Sequence, residues 1–245
     1  MTARSVSADT DTQTEAPQPA GRVLVVIPAY NEAERIGAVV RAAAGFAPVL
    51  VVDDGSRDAT ARSAADAGAE VLCQFPNQGK GTALRAGFRR ALETGYAAVI
   101  TLDGDGQHDP REIPAFLAAW ADRSSDLIIG QRQFSQMPWP RRLANTFGRW
   151  LFSWALGQFV PDNQSGYRLL SRRLMAQLLT HTEPGFEFEV EMLATCLKSR
   201  YDLAWVPIRT IYSGAASHIQ PVQHIVNFFR IVWATRQRMR ARAAG

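Results

Sequence analysis

The chain has 245 residues, a formal charge of +4, 47% hydrophobic and 20% charged residues. That composition excludes a wholly disordered or fibrous protein and allows one full core, alone or with an extension. Two cysteines, Cys73 and Cys196, stand far apart in apolar surroundings, which excludes a disulfide framework or a metal finger and suits packed thiols in a reduced compartment.

Residues 1–20 are Thr, Ser, Asp, Gln, Ala and Pro-rich and read as a disordered leader, neither a signal peptide nor a membrane span. From there strands and helices alternate. Val23–Ile27 is a β-branched strand and Glu32–Ala44 has helical spacing. Val49–Val52 is a second strand, after which Ser56 or Asp58 caps a helix through Ala67. Glu70–Cys73 is a third strand, and Asn77-Gln78-Gly79-Lys80-Gly81 opens a helix to about Thr94. Val99–Leu102 is a strand, Ile113–Ala121 a helix and Asp126–Ile129 a strand ending at Gly130-Gln131-Arg132. This order predicts an α/β fold with a mostly parallel, helix-covered sheet.

After Arg132 the alternation stops. Residues 138–160 mix aromatics with arginines, as either core-packing helices or an amphipathic segment at a membrane surface. Helices are predicted near Arg172–Leu179, Glu187–Lys198 and Val222–Arg238, with a strand at Val206–Ile211. One domain over residues 21–235 would thus include an aromatic-basic segment, 133–160, and be followed by a basic tail, 236–245. That tail is either solvated or drawn to anionic lipid; nucleic acid is not expected, because no basic-aromatic platform accompanies it. Nowhere does the chain offer the ~18 uninterrupted apolar residues of a transmembrane helix.

The chemistry gathers at strand ends. Pro28-Ala29-Tyr30-Asn31-Glu32, Asp53-Asp54-Gly55-Ser56 and Asp103-Gly104-Asp105 each follow an apolar run. One acid there can simply cap a helix. Several on one edge of a parallel sheet predict a ligand crevice. The paired carboxylates Asp103 and Asp105 call for a positive group between them, and a hard divalent cation bridging to phosphate answers that need. A calcium loop starting at Asp103 fails, because His108 and Pro114 occupy the places of its Gly and Glu. A dinucleotide fingerprint fails at Pro28-Ala29-Tyr30, and Asn77–Gly81 lacks Walker spacing, although its amides and Lys80 could meet an anion. A phospho-acceptor domain would explain Asp53 and Asp54 but leave Asp103, Asp105 and half the chain without a role.

These ordered segments resemble family 2 glycosyltransferases, most of all the polyprenyl-phosphate (dolichol-phosphate type) mannosyl- and glucosyltransferases, over about residues 22–235. The resemblance implies a Rossmann-like, GT-A type fold with a C-terminal helical extension. It implies Pro28, Tyr30, Glu32, Asp53 and Asp54 around the nucleoside, Lys80 on the donor side and Asp103 facing sugar or ribose. Asp105 and Gln107 would hold Mg²⁺ or Mn²⁺ against the diphosphate. On the acceptor side, Gly130-Gln131-Arg132 and Asp162-Asn163-Gln164-Ser165-Gly166-Tyr167-Arg168 resemble segments whose Arg132, Ser165 and Arg168 would receive a lipid phosphate; both arginines could equally be structural ion-pair partners. Glu191 and Ser217 fall in further acceptor-like segments. Glu189 stands where many relatives carry Gln and His218 where Lys is usual, which leaves the roles of both open.

The implied reaction is inverting transfer of a hexose, mannose or glucose, from a nucleotide-diphosphate sugar to polyprenyl phosphate, at the inner face of the cytoplasmic membrane. A phosphate acceptor is already ionised and needs no base. A saccharide hydroxyl would need one, with Asp162 as its candidate; Asp162 could also be a turn acid. A nucleotide-sugar-binding protein without turnover is the reading outside enzymology. Oligomeric state is not legible.

Overall fold

The computed structural model describes residues 21–132, 139–180, 188–209, 229–237 and 239. The first half is β1 (Val23–Ala29), α1 (Ile36–Ala44), β2 (Val49–Asp54), α2 (Thr60–Asp66), β3 (Glu70–Gln74), α3 (Lys80–Glu93), β4 (Ala98–Thr101) and α4 (Ile113–Arg123). The second is β5 (Leu127–Arg132), α5 (Trp139–Leu156), β6 (Arg168–Ser171), α6 (Arg172–Thr180), α7 (Phe188–Lys198) and β7 (Leu203–Ile208). Residues 229–237 are helical and form α8.

The strands make one seven-stranded sheet in the order β3-β2-β1-β4-β6-β5-β7. Every pairing is parallel except those of β6, which runs against both β4 and β5. The near-continuous apolar runs of β1, β2 and β4 follow from burial on both faces. Leu24, Val26 and Val52 pack under α3, α6 and α7, whereas Val25, Ile27 and Val51 pack under α1 and α4. Gly87 of α3 lies so close to β1 that a Cβ would stand 2.4 Å from a Val26 methyl. Only glycine brings helix and sheet that close.

Departures from the predicted elements have local causes. The first helix starts at Ile36 rather than Glu32, because the amides of residues 31–33 are engaged by side chains between the end of β2 and the start of α2. There Ser56 Oγ accepts from the Asn31 amide at 2.9 Å, Thr60 Oγ1 from the Glu32 amide at 2.8 Å, and Asp58 Oδ2 from the Ala33 amide at 3.2 Å. Ser56 and Asp58 thus join two loops of the ligand edge. The last strand spans Leu203–Ile208, shifted N-terminally from 206–211 to pair with β5. The segment expected as a helix pair contains a single helix, α5, followed by Gly157 at φ +75°. Strand β6 has no predicted counterpart.

Helices α5, α7 and α8 meet through Phe152, Ala155, Val190, Ile231 and Val232. The outer faces of α5 and α8 and the turn between α5 and β6 expose Phe147, Trp150, Trp154, Phe159, Phe229 and Trp233. The leader, residues 133–138 and the basic tail beyond Met239 lie outside the described residues, as does part of the expected Val222–Arg238 helix.

Candidate active site

The carboxyl ends of β1, β2 and β4 open on a crevice of about 410 Å³. Pro28, Tyr30, Glu32 and Asp54 line one end, and Lys80, Asp103 and Asp105 the other. Asp54 ends β2 and accepts from the amides of Gln78 and Gly79 at 2.8 and 2.7 Å. Those contacts fix the turn before α3 and aim its N-terminus at the crevice, where amides and helix dipole favour an anion. Gly55 (φ +76°) permits the approach: a Cβ there would come within 2.9 Å of the Asn77 nitrogen. Asp53 behaves differently from the expectation for a nucleoside contact. Its Oδ1 accepts from the Ser56 amide at 3.1 Å and from the Ser56 hydroxyl, and it is not among the crevice-lining residues.

At the inner end, Lys80 Nζ lies 2.6 Å from Asp103 Oδ1 and 2.8 Å from Glu189 Oε1. Lys80 begins α3, Asp103 follows β4, and Glu189 sits in the first turn of α7, where an acid suits the helix dipole. Burial alone would lower the Lys80 pKa, but the charges of Asp103 and Glu189 outweigh it and raise it above the ordinary lysine value. For both carboxylates burial acts upward, yet the Lys80 ammonium, the largest opposing influence on each, holds them below the usual range, with Arg168 adding to it at Glu189. His108 is buried, and burial pushes its pKa down against the pull of Asp103. Its Nδ1 faces Asp103 Oδ2 at 3.6 Å, too far for a hydrogen bond, and has no partner.

Asp105 and Gln107 stand together at the open edge. Asp105 Oδ1 accepts from the Gln107 amide at 2.9 Å and Oδ2 from its Nε2 at 2.8 Å. Among the described residues no three His, Cys, Asp or Glu side chains converge as a closed metal cage. The set fits Mg²⁺ or Mn²⁺ nevertheless. The Asp105 carboxylate and the Gln107 carboxamide oxygen are hard oxygen donors on neighbouring side chains, and such ions take most remaining ligands from phosphate and water.

The acceptor-side residues are largely engaged with one another. Arg132 Nε and Nη2 grip Asp162 at 2.6 and 2.9 Å, and the Gln164 amide donates to Asp162 Oδ1 at 3.1 Å. This bidentate clamp leaves Asp162 poorly suited to the base role considered for it. Arg168 has no exposed surface: its guanidinium donates to the carbonyls of Ser165 (2.8 Å), Asn163 (2.9 Å) and Glu189. It therefore braces the 163–165 loop against α7 from inside, in line with the structural alternative to a place on the acceptor phosphate. Glu191 is likewise held by a protein partner. Its carboxylate meets Arg85 of α3 at 2.6 Å, and Arg85 also donates to the Leu178 carbonyl, so the pair ties α3, α6 and α7 together. Ser165 Oγ and Asn163 Nδ2, by contrast, are buried polar atoms without a partner. Ser217 and His218 lie outside the described residues.

The two sides meet at Gly166. Its carbonyl accepts from Thr101 Oγ1 at 2.7 Å, and a Cβ on it would fall 2.7 Å from Asp103 Oδ2 and 3.1 Å from Lys80 Nζ. The acceptor-side loop thus passes directly over the end of β4.

Residues 24–179 match the family described as Glycosyl transferase family 2. The chain belongs to that family. Its glycosyltransferase character extends to named relatives: an undecaprenyl-phosphate mannosyltransferase of Micrococcus luteus is 35% identical over 76% of this chain and 82% of the relative. A polyprenol monophosphomannose synthase of Mycolicibacterium smegmatis is 32% identical, covering 78% of each chain. In fold it resembles a Mycobacterium tuberculosis glucosyl-3-phosphoglycerate synthase solved with Mn²⁺, UDP and phosphoglyceric acid. That likeness has a TM-score of 0.68 at 22% identity, covering 88% of this chain and 77% of the other.

In this family 2 glycosyltransferase, three residues beside the crevice carry no role that their sequence context assigns. Glu189 departs from the usual Gln, although its position in the first turn of a predicted helix is visible. His108 directly follows the metal-type motif and otherwise only breaks the pattern of a calcium loop. Asn163 lies inside the Asp162–Arg168 segment, and a buried, unpaired amide has no signature in sequence.

Proposed function

We propose that the enzyme transfers a hexose, mannose or glucose, from a nucleotide-diphosphate sugar to a polyprenyl phosphate, with inversion and a divalent metal. The observation that carries this reading is the meeting of two anion-suited surfaces at Gly166. On one side α3 presents its N-terminus to the crevice. On the other, Ser165 and Asn163 hold unpaired donors on the loop that crosses β4. Buried donors without partners are costly unless a ligand completes them, and an acceptor phosphate would do so. Asp105 and Gln107 would hold the metal, which stabilises negative charge on a departing diphosphate when bound.

Inversion requires the acceptor opposite the leaving diphosphate, and the loop crossing over Asp103 is suited to hold it there. An ionised phosphate brings its own nucleophilic oxygen. A saccharide hydroxyl would need a base, and the clamped Asp162 and the low-lying Asp103 and Glu189 all serve that purpose poorly.

The exposed aromatics of α5 and α8 support action at a membrane surface. Arg236 donates to the Trp154 carbonyl at 3.0 Å and stacks over its ring, and Arg149 lies over Phe159, an amphipathic mix that suits a headgroup layer. Among the described residues no helix is long and apolar enough to cross a membrane. Peripheral attachment at the cytoplasmic face follows as part of the proposal.

The test is a panel of UDP- and GDP-sugars supplied with undecaprenyl phosphate in vesicles, followed by mild acid. The expected product releases its sugar under acid, as a lipid-phosphate sugar does. An acid-stable product, or transfer to a saccharide in preference to the lipid, would reject the acceptor.

A further inference from the structure

The turn that would hold the metal has few anchors of its own. Asp105 bonds within it, to the amide and carboxamide of Gln107, and Gly106 bends it at φ +75° with no side chain to pack. A small divalent cation nevertheless needs its oxygen donors held within about 0.5 Å of the required geometry. Support must come from outside the turn, and Tyr167 is placed to give it. Its side chain is fully buried and reaches residues 108 and 109 together. The hydroxyl donates to the Asp109 carbonyl at 3.3 Å, and the ring packs on His108 with 5.3 Å between centroids. The same ring stacks on Phe116 of α4 at 4.4 Å and joins the core that holds Ile100, Ile128 and Leu169. One side chain thus runs from the middle of the hydrophobic core to the end of the metal turn. Burial raises the pKa of its hydroxyl, which stays a donor at neutral pH.

We infer that Tyr167 is a positioning residue for the divalent metal, holding the turn of Asp105 and Gln107 through the Asp109 carbonyl and the His108 ring. Its own backbone is fixed on both sides. The Gly166 carbonyl accepts from Thr101 Oγ1 at 2.7 Å, and Arg168 pairs with Thr101 across β6 and β4 while its guanidinium donates to the carbonyls of Ser165 and Asn163. The segment that bears Ser165 therefore also steadies the opposite half of the site. Outer partners of this kind tune metal affinity by orienting the groups that touch the ion. A tyrosine that only fills the core would change stability and leave the metal's share of nucleotide binding alone. The inference rests on reading Asp105 and Gln107 as the metal ligands and is independent of the acceptor.

The experiment measures Kd for UDP and for GDP by calorimetry, once in EDTA and once with excess Mn²⁺. Wild type is set against Tyr167→Phe, which loses the hydroxyl and keeps the ring, and Tyr167→Leu, which loses both. For the nucleotide that wild type binds more tightly, the ratio of the two Kd values reads what the metal contributes. That gain is expected to shrink about threefold in Tyr167→Phe and about tenfold in Tyr167→Leu, while Kd in EDTA stays within about twofold. If Tyr167→Leu fails to fold, Tyr167→Phe alone decides. A gain equal to that of wild type in every variant that folds would overturn the positioning role while leaving the metal reading intact. A wild type that binds neither nucleotide, or binds no better with Mn²⁺ than in EDTA, would instead overturn the metal reading, and this inference with it.

Discussion

The proposed donor and acceptor halves of the site share one sheet edge but use their charged residues in opposite ways. On the donor side Asp54, Lys80, Asp103 and Asp105 line the crevice, and their fixed partners are mainly backbone amides or each other. On the acceptor side Arg132 clamps Asp162, Arg168 supports three carbonyls and Glu191 holds Arg85. The first arrangement is open to a ligand and the second is closed upon itself. A charged residue near a site is therefore not thereby a contact. Its hydrogen-bond partners decide whether it binds the substrate or holds the walls.

The contrast can be broken most severely at Asp105. Asp105→Ala should cost about 10³-fold or more in transfer rate while leaving the melting temperature nearly unchanged, because this side chain is partly exposed and bonds only its own turn. Activity surviving in that variant would remove the proposed metal role. Arg168→Met should act in the reverse sense. It leaves three buried carbonyls without their donor, and a loss of about 3 kcal/mol in urea unfolding is expected. Stability equal to wild type would show that Arg168 does not brace the loop.

Glu191→Gln sharpens the same contrast with a smaller change. Weakening the partly buried pair with Arg85 should lower stability by about 1–2 kcal/mol, with the acceptor KM of the folded enzyme unaltered. A raised acceptor KM at unchanged stability would restore Glu191 to the acceptor site. The smallest effect is in pH dependence. The folded pKa values of Asp103 and Glu189 lie below their ordinary ones, so their contribution is complete above the usual carboxylate range and is lost as pH falls through the lowered values. Lys80, raised, contributes below the ordinary lysine value and loses its contribution as pH rises through the folded one. Melting temperatures from about pH 3 to 7 should show a shallower acid limb for Lys80→Met, because the cation that lowers both carboxylates most is then gone. A coincident limb would mean the ammonium does not stabilise them.

How far the sequence carried this picture differs between the halves for the same physical reason. The apolar runs ending in Pro28, Asp53 and Asp103 identify parallel strands buried on both faces and put their polar ends together, because parallel strands share one ligand edge. Nothing comparable marks β6. Its Arg168-Leu169-Leu170-Ser171 is only four residues long, opens with a charge and runs straight into α6, so it reads as a helix approach. Without β6 there was no means of knowing that Arg168 lies between β4 and β5, opposite Thr101 and Ile129, where no solvent reaches it. Glu189 and Glu191 pose the same difficulty on a helix. Two residues apart, they point in different directions, and only the packing of α7 decides which one reaches Lys80.

The reversal of β6 has one more consequence. Strand β5 leaves the sheet at the ligand edge and β6 re-enters it there, as neighbours in register. Residues 133–167 therefore begin and end at adjoining points of a rigid frame, like a cassette held by two clips. Its length and side chains can change while the nucleotide half keeps every strand pairing it has, since loop closure between fixed ends costs little more as the loop grows. Under the proposed function, such a plan lets what receives the sugar vary without rebuilding what delivers it.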